Sequence, residues 1–286
     1  MPDTVTIYEV GPRDGLQNET ALVTIDDKVR LTDLLSAAGL RYIEAASFVS
    51  PKRVPQMAGS AEVLARIKRR AGTVYSALVP NLRGYADAKA AQADEIAIFA
   101  SASEGFSRKN INCSVAESLE RYDALCGAAR RDGFAVRGYV SCVIACPYDG
   151  PVAPSAVAKV AARLLKMGCR EVSLGDTIGA GTVETVQDML NAVLDHAPAE
   201  SLAGHYHDTG GQALDCIRRS TRLGLRTFDS SVAGAGGCPF APGAKGNVDT
   251  GAVVRLVESM GYATGIDQAA LAKAETFMGT LIGILP

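Results

Sequence analysis

His205 and His207 stand two residues apart in Leu202-Ala203-Gly204-His205-Tyr206-His207-Asp208-Thr209, and the whole chain has three histidines. The stretch reads as a β-strand, in which residues i and i+2 point to the same face, so both imidazoles project to one side. Two neutral ring nitrogens converging from one short segment are the beginning of a divalent-metal site. A bare His-x-His is also compatible with a structural role, so the metal reading depends on what other donors the fold brings beside it.

The elements that would position the pair alternate along the chain. Thr4–Val10 is an apolar, β-branched run ending at Gly11-Pro12, and Asp26–Ala38 follows with Val29, Leu31, Leu34 and Leu35 at helical spacing before Gly39. Further strand signals are Tyr42–Ser47, Thr73–Val79, Glu95–Ala100, Val136–Val143, Glu171–Leu174, Leu202–His207 and Thr227–Val232. Helical patterns follow them near 60–71, 82–92, 115–132, 155–167, 183–196, 211–223 and 249–260, and Asp267–Gly283 reads as an additional C-terminal helix. Repeated βα units require right-handed crossovers and a parallel sheet. Eight of them in about 250 residues predict an α/β fold of the (β/α)8 TIM-barrel type, one domain over 1–286, rather than an open sheet. The turn after the first strand, Gly11-Pro12-Arg13-Asp14-Gly15, does not match the GxGxxG of dinucleotide-binding folds.

A TIM barrel gathers its chemistry at the C-terminal ends of the strands. There the sequence places Arg13 and Asp14 after the first strand, Glu44 and Ser47 on the second, and Arg137 and Tyr139 on the fifth. Ser173, Asp176 and Thr177 lie on and after the sixth, the histidine pair on the seventh. A Gly-rich loop, Gly234–Gly246, follows the eighth, contains Cys238 and ends at Asn247. Asp14, His205, His207 and Asn247 would supply two nitrogens and two oxygens, a set that suits octahedral Mg²⁺ or Mn²⁺ first and Zn²⁺ second.

Each residue also has a plainer reading. Arg13 with Asp14 is a surface ion pair in most contexts, worth about 0–1 kcal/mol, but the position after the first strand favours function. Glu44 lies inside the apolar stretch Tyr42-Ile43-Glu44-Ala45-Ala46. An unpaired buried carboxylate costs several kcal/mol, so it is expected to orient a metal ligand or Arg13. Asp208 reads as the cap of the next helix. Ser173, Thr177 and Arg137 could serve as interior hydrogen-bonders, and Cys238 is either a small buried residue or a reactive thiol.

Composition bounds the function classes. With 286 residues, 48% hydrophobic and 21% charged, the chain is long enough to bury a large core. A net charge of −2 with dispersed Lys and Arg argues against nucleic-acid or anionic-membrane binding, and no apolar run approaches membrane-spanning length. Seven scattered cysteines without a CxxC and no signal-like start point to a reduced, cytoplasmic setting.

Five segments resemble those of 3-hydroxy-3-methylglutaryl-CoA lyases. They are Glu9-Val10-Gly11-Pro12-Arg13-Asp14-Gly15-Leu16-Gln17-Asn18-Glu19, Ser47-Phe48-Val49-Ser50-Pro51-Lys52, Lys109-Asn110-Ile111-Asn112-Cys113-Ser114, Ser173-Leu174-Gly175-Asp176-Thr177-Ile178-Gly179 and Ser231-Val232-Ala233-Gly234-Ala235-Gly236-Gly237-Cys238-Pro239-Phe240. The resemblance runs in order from about residue 5 to 260. It implies a metal-dependent TIM-barrel enzyme that cleaves an acyl-CoA by a retro-Claisen reaction, with Asp14, His205, His207 and Asn247 on a divalent cation. It implies Arg13 as a catalytic residue, Cys238 on the active-site loop as a proton donor, and His205 or water linked to Asp14 as the base. Contacts around the metal and acyl group would come from Glu44, Asn110, Ser173, Asp176 and Thr177, with Gln17, Ser47, Arg137 and Tyr139 as further substrate-binding candidates. A homodimer is a family-level expectation. The chain departs from the family at Thr20, Arg53, Gly210 and Gly251, which bears on the acyl chain preferred. Two rivals remain at this point: a condensing enzyme of the isopropylmalate or homocitrate synthase group, and a catalytically silent metal-binding barrel. Gly237-Cys238-Pro239 stands where the synthases carry an acidic-basic pair, which argues against the first.

Overall fold

The computed structural model describes residues 3–236 and 246–284. The first half of the barrel is built from β1 (Thr6–Glu9), α1 (Ile25–Ala37), β2 (Tyr42–Ser47), α2 (Ser60–Arg66), β3 (Val74–Leu78), α3 (Leu82–Ala90) and β4 (Glu95–Ser101). Two helices follow, α4 (Glu104–Ile111) and α5 (Val115–Arg131), then β5 (Ala135–Ser141) and a small hairpin of β6 (Ala145–Cys146) and β7 (Gly150–Pro151). The rest is α6 (Pro154–Met167), β8 (Glu171–Asp176), α7 (Val183–Leu194), β9 (Leu202–Tyr206), α8 (Ala213–Arg222), β10 (Thr227–Ser230), α9 (Thr250–Ser259) and α10 (Gln268–Leu281). The parallel strands close in the order β1-β10-β9-β8-β5-β4-β3-β2, with Thr6 opposite Thr227 and Glu9 opposite Ser230 at the seam. All eight expected βα units are therefore present, and α10 is the additional C-terminal helix.

Strand alternation sorts side chains into two cores. Ile7, Ile43, Ile96, Val136, Val172, Leu202 and Phe228 face the helices and are buried against Leu31, Leu35, Leu64, Leu164, Leu190, Ile217 and Val257. Each such side chain contributes about 1.5–3 kcal/mol of transfer free energy. The other face of the strands fills the barrel, and there the residues are largely polar. The Tyr8 hydroxyl lies 2.7 Å from Ser76 Oγ and 2.8 Å from Glu95 Oε1, and the fully buried Arg137 guanidinium is paired with Glu171 at 2.7 Å and Asp229 at 2.6 Å. It also stacks over the Tyr8 ring at 3.9 Å.

Several boundaries differ from the sequence reading. The α2 helix ends at Arg66, because Ile67 turns to an extended conformation and Lys68 N–H donates to the Asp33 carboxylate. The α4 helix was not anticipated, since Glu104–Ile111 lacks an apolar period. It is held by its ends: Ser103 Oγ accepts from Phe106 N–H, and Asn112 closes it at φ +53°. The β9 strand stops at Tyr206, so His207 falls just beyond it, in an isolated antiparallel bridge to Asn247. Among the described residues no helix is long and apolar enough to cross a membrane, and the six described cysteines are free and buried.

Candidate active site

The chain leaves β1 through a widened turn. The N–H groups of Arg13, Asp14 and Gly15 converge on the Val10 carbonyl at 3.1, 2.7 and 3.1 Å, a single π-type turn, a form that recurs at functional sites. The turn swings Arg13 over the barrel mouth, where its Nε donates to Glu44 Oε2 and its Nη1 to Asp14 Oδ1, both at 2.5 Å. Glu44 has no exposed surface and stands behind the arginine. The Tyr139 ring lies 5.6 Å from the guanidinium carbon. Among the described residues nothing bonds Arg13 Nη2, whose donors face a ligand while two carboxylates fix the plane of the guanidinium.

His205 and His207 come up on the same side, with ring centroids 5.3 Å apart, as the two-residue spacing predicts. Their environments set them apart. His205 Nδ1 lies 3.0 Å from Asp229 Oδ2, which leaves Nε2 turned toward Asp14 Oδ2 at 3.9 Å. Burial alone would lower the His205 pKa, but the hydrogen bond to Asp229, with the charges of Asp229 and Asp14, outweighs it and holds the imidazole above its ordinary value. His207 has no such partner: burial, reinforced by His205, brings it down to about 4, so it is neutral at pH 7. Burial would raise Asp14, yet Arg13 and the two imidazoles hold it below the usual carboxylate range.

Asp14, His205 and His207 each present one ligand atom, and these lie within 4.8 Å of one another. Asn247 is beside them, donating through Nδ2 to Asp14 Oδ2 at 2.9 Å and to the Ala235 carbonyl at 3.3 Å. As placed, its amide offers a donor rather than a ligand oxygen; a half-turn of the amide presents Oδ1 to the same point. Gly236 passes directly over it at φ +102°, and a Cβ there would sit 2.7 Å from Asn247 Nδ2. Buried polar atoms without a partner lie here too, His207 Nδ1 and Tyr139 OH on residues that line the opening above the cluster, with Glu44 Oε1 and Ser47 Oγ behind them. Since nearly all buried polar groups are hydrogen-bonded, such a concentration marks a place built for something else to bind. The donor set of one carboxylate and two neutral-capable imidazoles fits a divalent cation.

A cavity of about 620 Å³ opens above this cluster. Arg13, Asp14, Gln17, Asn110, Tyr139, Thr177, His205 and His207 line it, with Val49, Leu78 and Phe99 on an apolar wall and Arg53 and Arg121 also along it. Other expected contacts are placed differently. Arg137 and Ser173 are turned inward beneath the cavity, both onto Asp229, with Ser173 Oγ at 2.7 Å, because the barrel interior at that level needs its charges paired. The Asp176 carboxylate accepts from the N–H groups of Ala180 and Gly181 at 3.2 and 2.7 Å and so shapes the loop after β8. Ser47 is buried beside α2, its N–H bonded to Ser60 Oγ. In these four cases the residue is at the expected level of the barrel but supports the site from behind. Asp208 accepts from Ala213 N–H at 3.2 Å, but it is not the cap expected of it, since Gln212 occupies the N-cap position of α8. Gly251 lies off the site, and the Glu275 carboxylate of α10 fills the space a side chain there would take. Cys238 lies outside the described residues.

Sequence reasoning missed Asp229, which binds His205, Ser173 and Arg137 at once. The rule that flagged Glu44, a carboxylate inside an apolar strand, applies equally to Asp229 in Thr227-Phe228-Asp229. Its pKa is lowered to about 2: burial would raise it, but the Arg137 charge and the His205 hydrogen bond prevail.

A parallel eight-stranded barrel with an Asp-His-His cluster and a clamped arginine at the C-terminal ends of its strands has the layout of a metal-assisted TIM-barrel enzyme. The HMGL-like family model matches residues 4–278, and the chain belongs to that family. It is 54% identical over 283 residues to the 3-hydroxy-3-isohexenylglutaryl-CoA/hydroxymethylglutaryl-CoA lyase of Pseudomonas aeruginosa, covering 99% of this chain and 94% of that one. Among solved structures, the HMG-CoA lyase of Brucella melitensis superposes with a TM-score of 0.97 at 61% identity, covering 98% of this chain and 99% of the other. An Acinetobacter baumannii HMG-CoA lyase in complex with coenzyme A and 3-methylmalate superposes with a TM-score of 0.93 at 34% identity, covering 98% and 92%.

Proposed function

We propose that this protein is a carbon–carbon lyase that cleaves 3-hydroxy-3-methylglutaryl-CoA to acetyl-CoA and acetoacetate with the help of a divalent cation, Mg²⁺ or Mn²⁺ before Zn²⁺. The observation that carries the reading is the meeting of Asp14, His205 and His207 within 4.8 Å beside the Glu44-clamped Arg13. Asp14, His205 and His207 would hold the cation, with Asn247 as the fourth donor. A bound divalent cation supplies Lewis acidity to substrate oxygens and lowers the pKa of a hydroxyl.

The chain's own residues account for the remaining steps. The 3-hydroxyl of the substrate would lose its proton to a base, for which family resemblance supplies His205 or water linked to Asp14; with His205 Nε2 and Asp14 on the cation, the water is the group left to take it. As the C3–O bond becomes a carbonyl, the C2–C3 bond breaks and its electron pair passes to the thioester, giving the enolate of acetyl-CoA. Arg13, fixed by two carboxylates, donates its free Nη2 protons to the enolate oxygen. The enolate takes a proton at C2 from an acid, for which Cys238 is the candidate supplied by family resemblance. Asp229 keeps His205 Nδ1 engaged so that Nε2 remains turned to the cavity.

Val49, Leu78 and Phe99 give the cavity an apolar side. This favours thioesters whose branch at C3 is longer than methyl as additional substrates, in keeping with the isohexenylglutaryl-CoA for which the Pseudomonas aeruginosa relative is named. The test is acetyl-CoA release from 3-hydroxy-3-methylglutaryl-CoA by chelator-treated protein, with and without added Mg²⁺ or Mn²⁺. Absence of cleavage of that thioester and of its longer homologues by metal-loaded protein would sink the proposal.

A further inference from the structure

Glu9, the last residue of β1, has no exposed surface and takes no part in the steps above. Its carboxylate is held by donors from three different places. Oε1 accepts from Gly11 N–H at 2.8 Å and Val232 N–H at 2.9 Å, and Oε2 accepts from Thr250 Oγ1 at 2.7 Å. Gly11 opens the turn that aims Arg13 and Asp14. Val232 opens the segment whose Ala235 carbonyl accepts from Asn247, and Thr250 begins α9 three residues after Asn247. The approach to Gly11 is close enough to exclude a side chain there, since a Cβ would lie 2.6 Å from Glu9 Oε1.

No cation is paired with Glu9 among the described residues, so burial of its carboxyl is opposed only by these hydrogen bonds. An apolar side chain of similar volume would fill the same space without that cost. What an apolar residue could not do is join three loops at one point. We propose that Glu9 is a positioning residue: its carboxylate locks the Arg13–Asp14 turn to the two segments that hold Asn247, and so sets the 2.9 Å approach of Asn247 to Asp14. His205 and His207, on and just beyond β9, make no contact with it. Loss of Glu9 would therefore leave half of the cluster in place and displace the other half. The inference rests on the metal reading of that cluster.

The test compares Glu9→Gln, Glu9→Asp, Glu9→Ala and Thr250→Val in the full chain, by Mn²⁺ titration, steady-state kinetics and amide hydrogen exchange. Glu9→Gln keeps an oxygen for both backbone N–H groups and is expected to stay within about 3-fold of the parent in Mn²⁺ Kd and kcat. Glu9→Ala and Glu9→Asp, which cannot bridge the segments, are expected to weaken Mn²⁺ about 10-fold, the scale of losing a group that orients metal ligands. They should lower kcat with little change in KM and speed exchange at Gly11 and Val232. Thr250→Val cuts one of the three links to Glu9, together with the 2.8 Å contact between the Thr250 and Ser230 hydroxyls, and should move each quantity the same way by less, which keeps the test open if the alanine variant does not fold. Folded alanine and aspartate variants with parental Mn²⁺ Kd and kcat would overturn the inference, as would a glutamine variant as impaired as alanine. If the parent neither binds Mn²⁺ nor cleaves the thioester, the proposed function fails, while the exchange rates at Gly11 and Val232 still decide whether Glu9 holds the segments.

Discussion

Replacing Asp229 by asparagine should damage the site without changing its shape. The carboxylate lies 3.0 Å from His205 Nδ1, 2.7 Å from Ser173 Oγ and 2.6 Å from Arg137 Nη2. An amide whose NH₂ faces His205 donates to Nδ1 and drives the ring proton onto Nε2, the nitrogen turned toward Asp14, which can then no longer ligate. Turned the other way, the amide sets its NH₂ against the Arg137 donors. Loss of a partner that orients a metal-bound histidine costs about 10–100-fold in metal affinity, or roughly 1.4–2.7 kcal/mol. Stability should fall as well, because Arg137 and Asp229 are both fully buried. Breaking such a pair costs about 3–5 kcal/mol when the remaining charge is orphaned. Arg137 keeps Glu171 at 2.7 Å, so a loss of about 2–3 kcal/mol is expected. In a chain of 286 residues that corresponds to a fall in Tm of roughly 3–5 °C. Mn²⁺ titration followed by electron paramagnetic resonance, a thermal melt by circular dichroism, and acetyl-CoA release at rising metal would measure the three effects. An asparagine variant with parental Mn²⁺ Kd and kcat would refute the tautomer argument, and an unchanged Tm would refute the argument from burial.

His205→Ala should abolish metal-dependent turnover, and parental activity at limiting Mn²⁺ would remove it from the ligand set. Cys238→Ser should leave Mn²⁺ affinity intact while lowering kcat strongly; an unchanged rate would assign the final protonation to another group. Glu9, raised to about 7 from an ordinary 4.5, binds its proton more tightly when folded. Its contribution to stability is therefore complete below about pH 4.5 and is lost as pH rises through 7, amounting to about 3 kcal/mol. Denaturant midpoints at pH 5 and pH 8 should accordingly show Glu9→Gln gaining on the parent at the higher pH, and a constant difference between the two proteins would refute this.

The barrel was legible because its outer core is periodic. Strands such as Tyr42–Ser47 and Glu95–Ser101 place apolar residues toward the helices, and Gly39 and Gly168 mark ends of helices. The histidine pair was legible because strand geometry alone sends i and i+2 to one side. The α4 helix was not, since apart from its local Ser103 cap it is held by the bond of Ser103 Oγ to Asp149 and by the packing of Phe106 on Cys142 and Cys146, contacts that come from distant segments.

The sequence by itself determined the closed α/β barrel, the level at which the polar residues gather and the candidate ligands Asp14, His205, His207 and Asn247. Those conclusions follow from local periodicity and from family motifs read in order. Only the tertiary structure decided which polar residues face the cavity and which hold the others in place. Arg137, Ser173 and Asp229 alternate along their strands just as His205 does, yet they turn toward one another beneath the cavity, across as many as 92 residues of chain. The reason is physical: the inside of this barrel is polar at several levels, so alternation tells inside from outside but not floor from cavity. Which buried charge meets which, and therefore that Glu9 and Asp229 orient the site, depends on closure of the sheet.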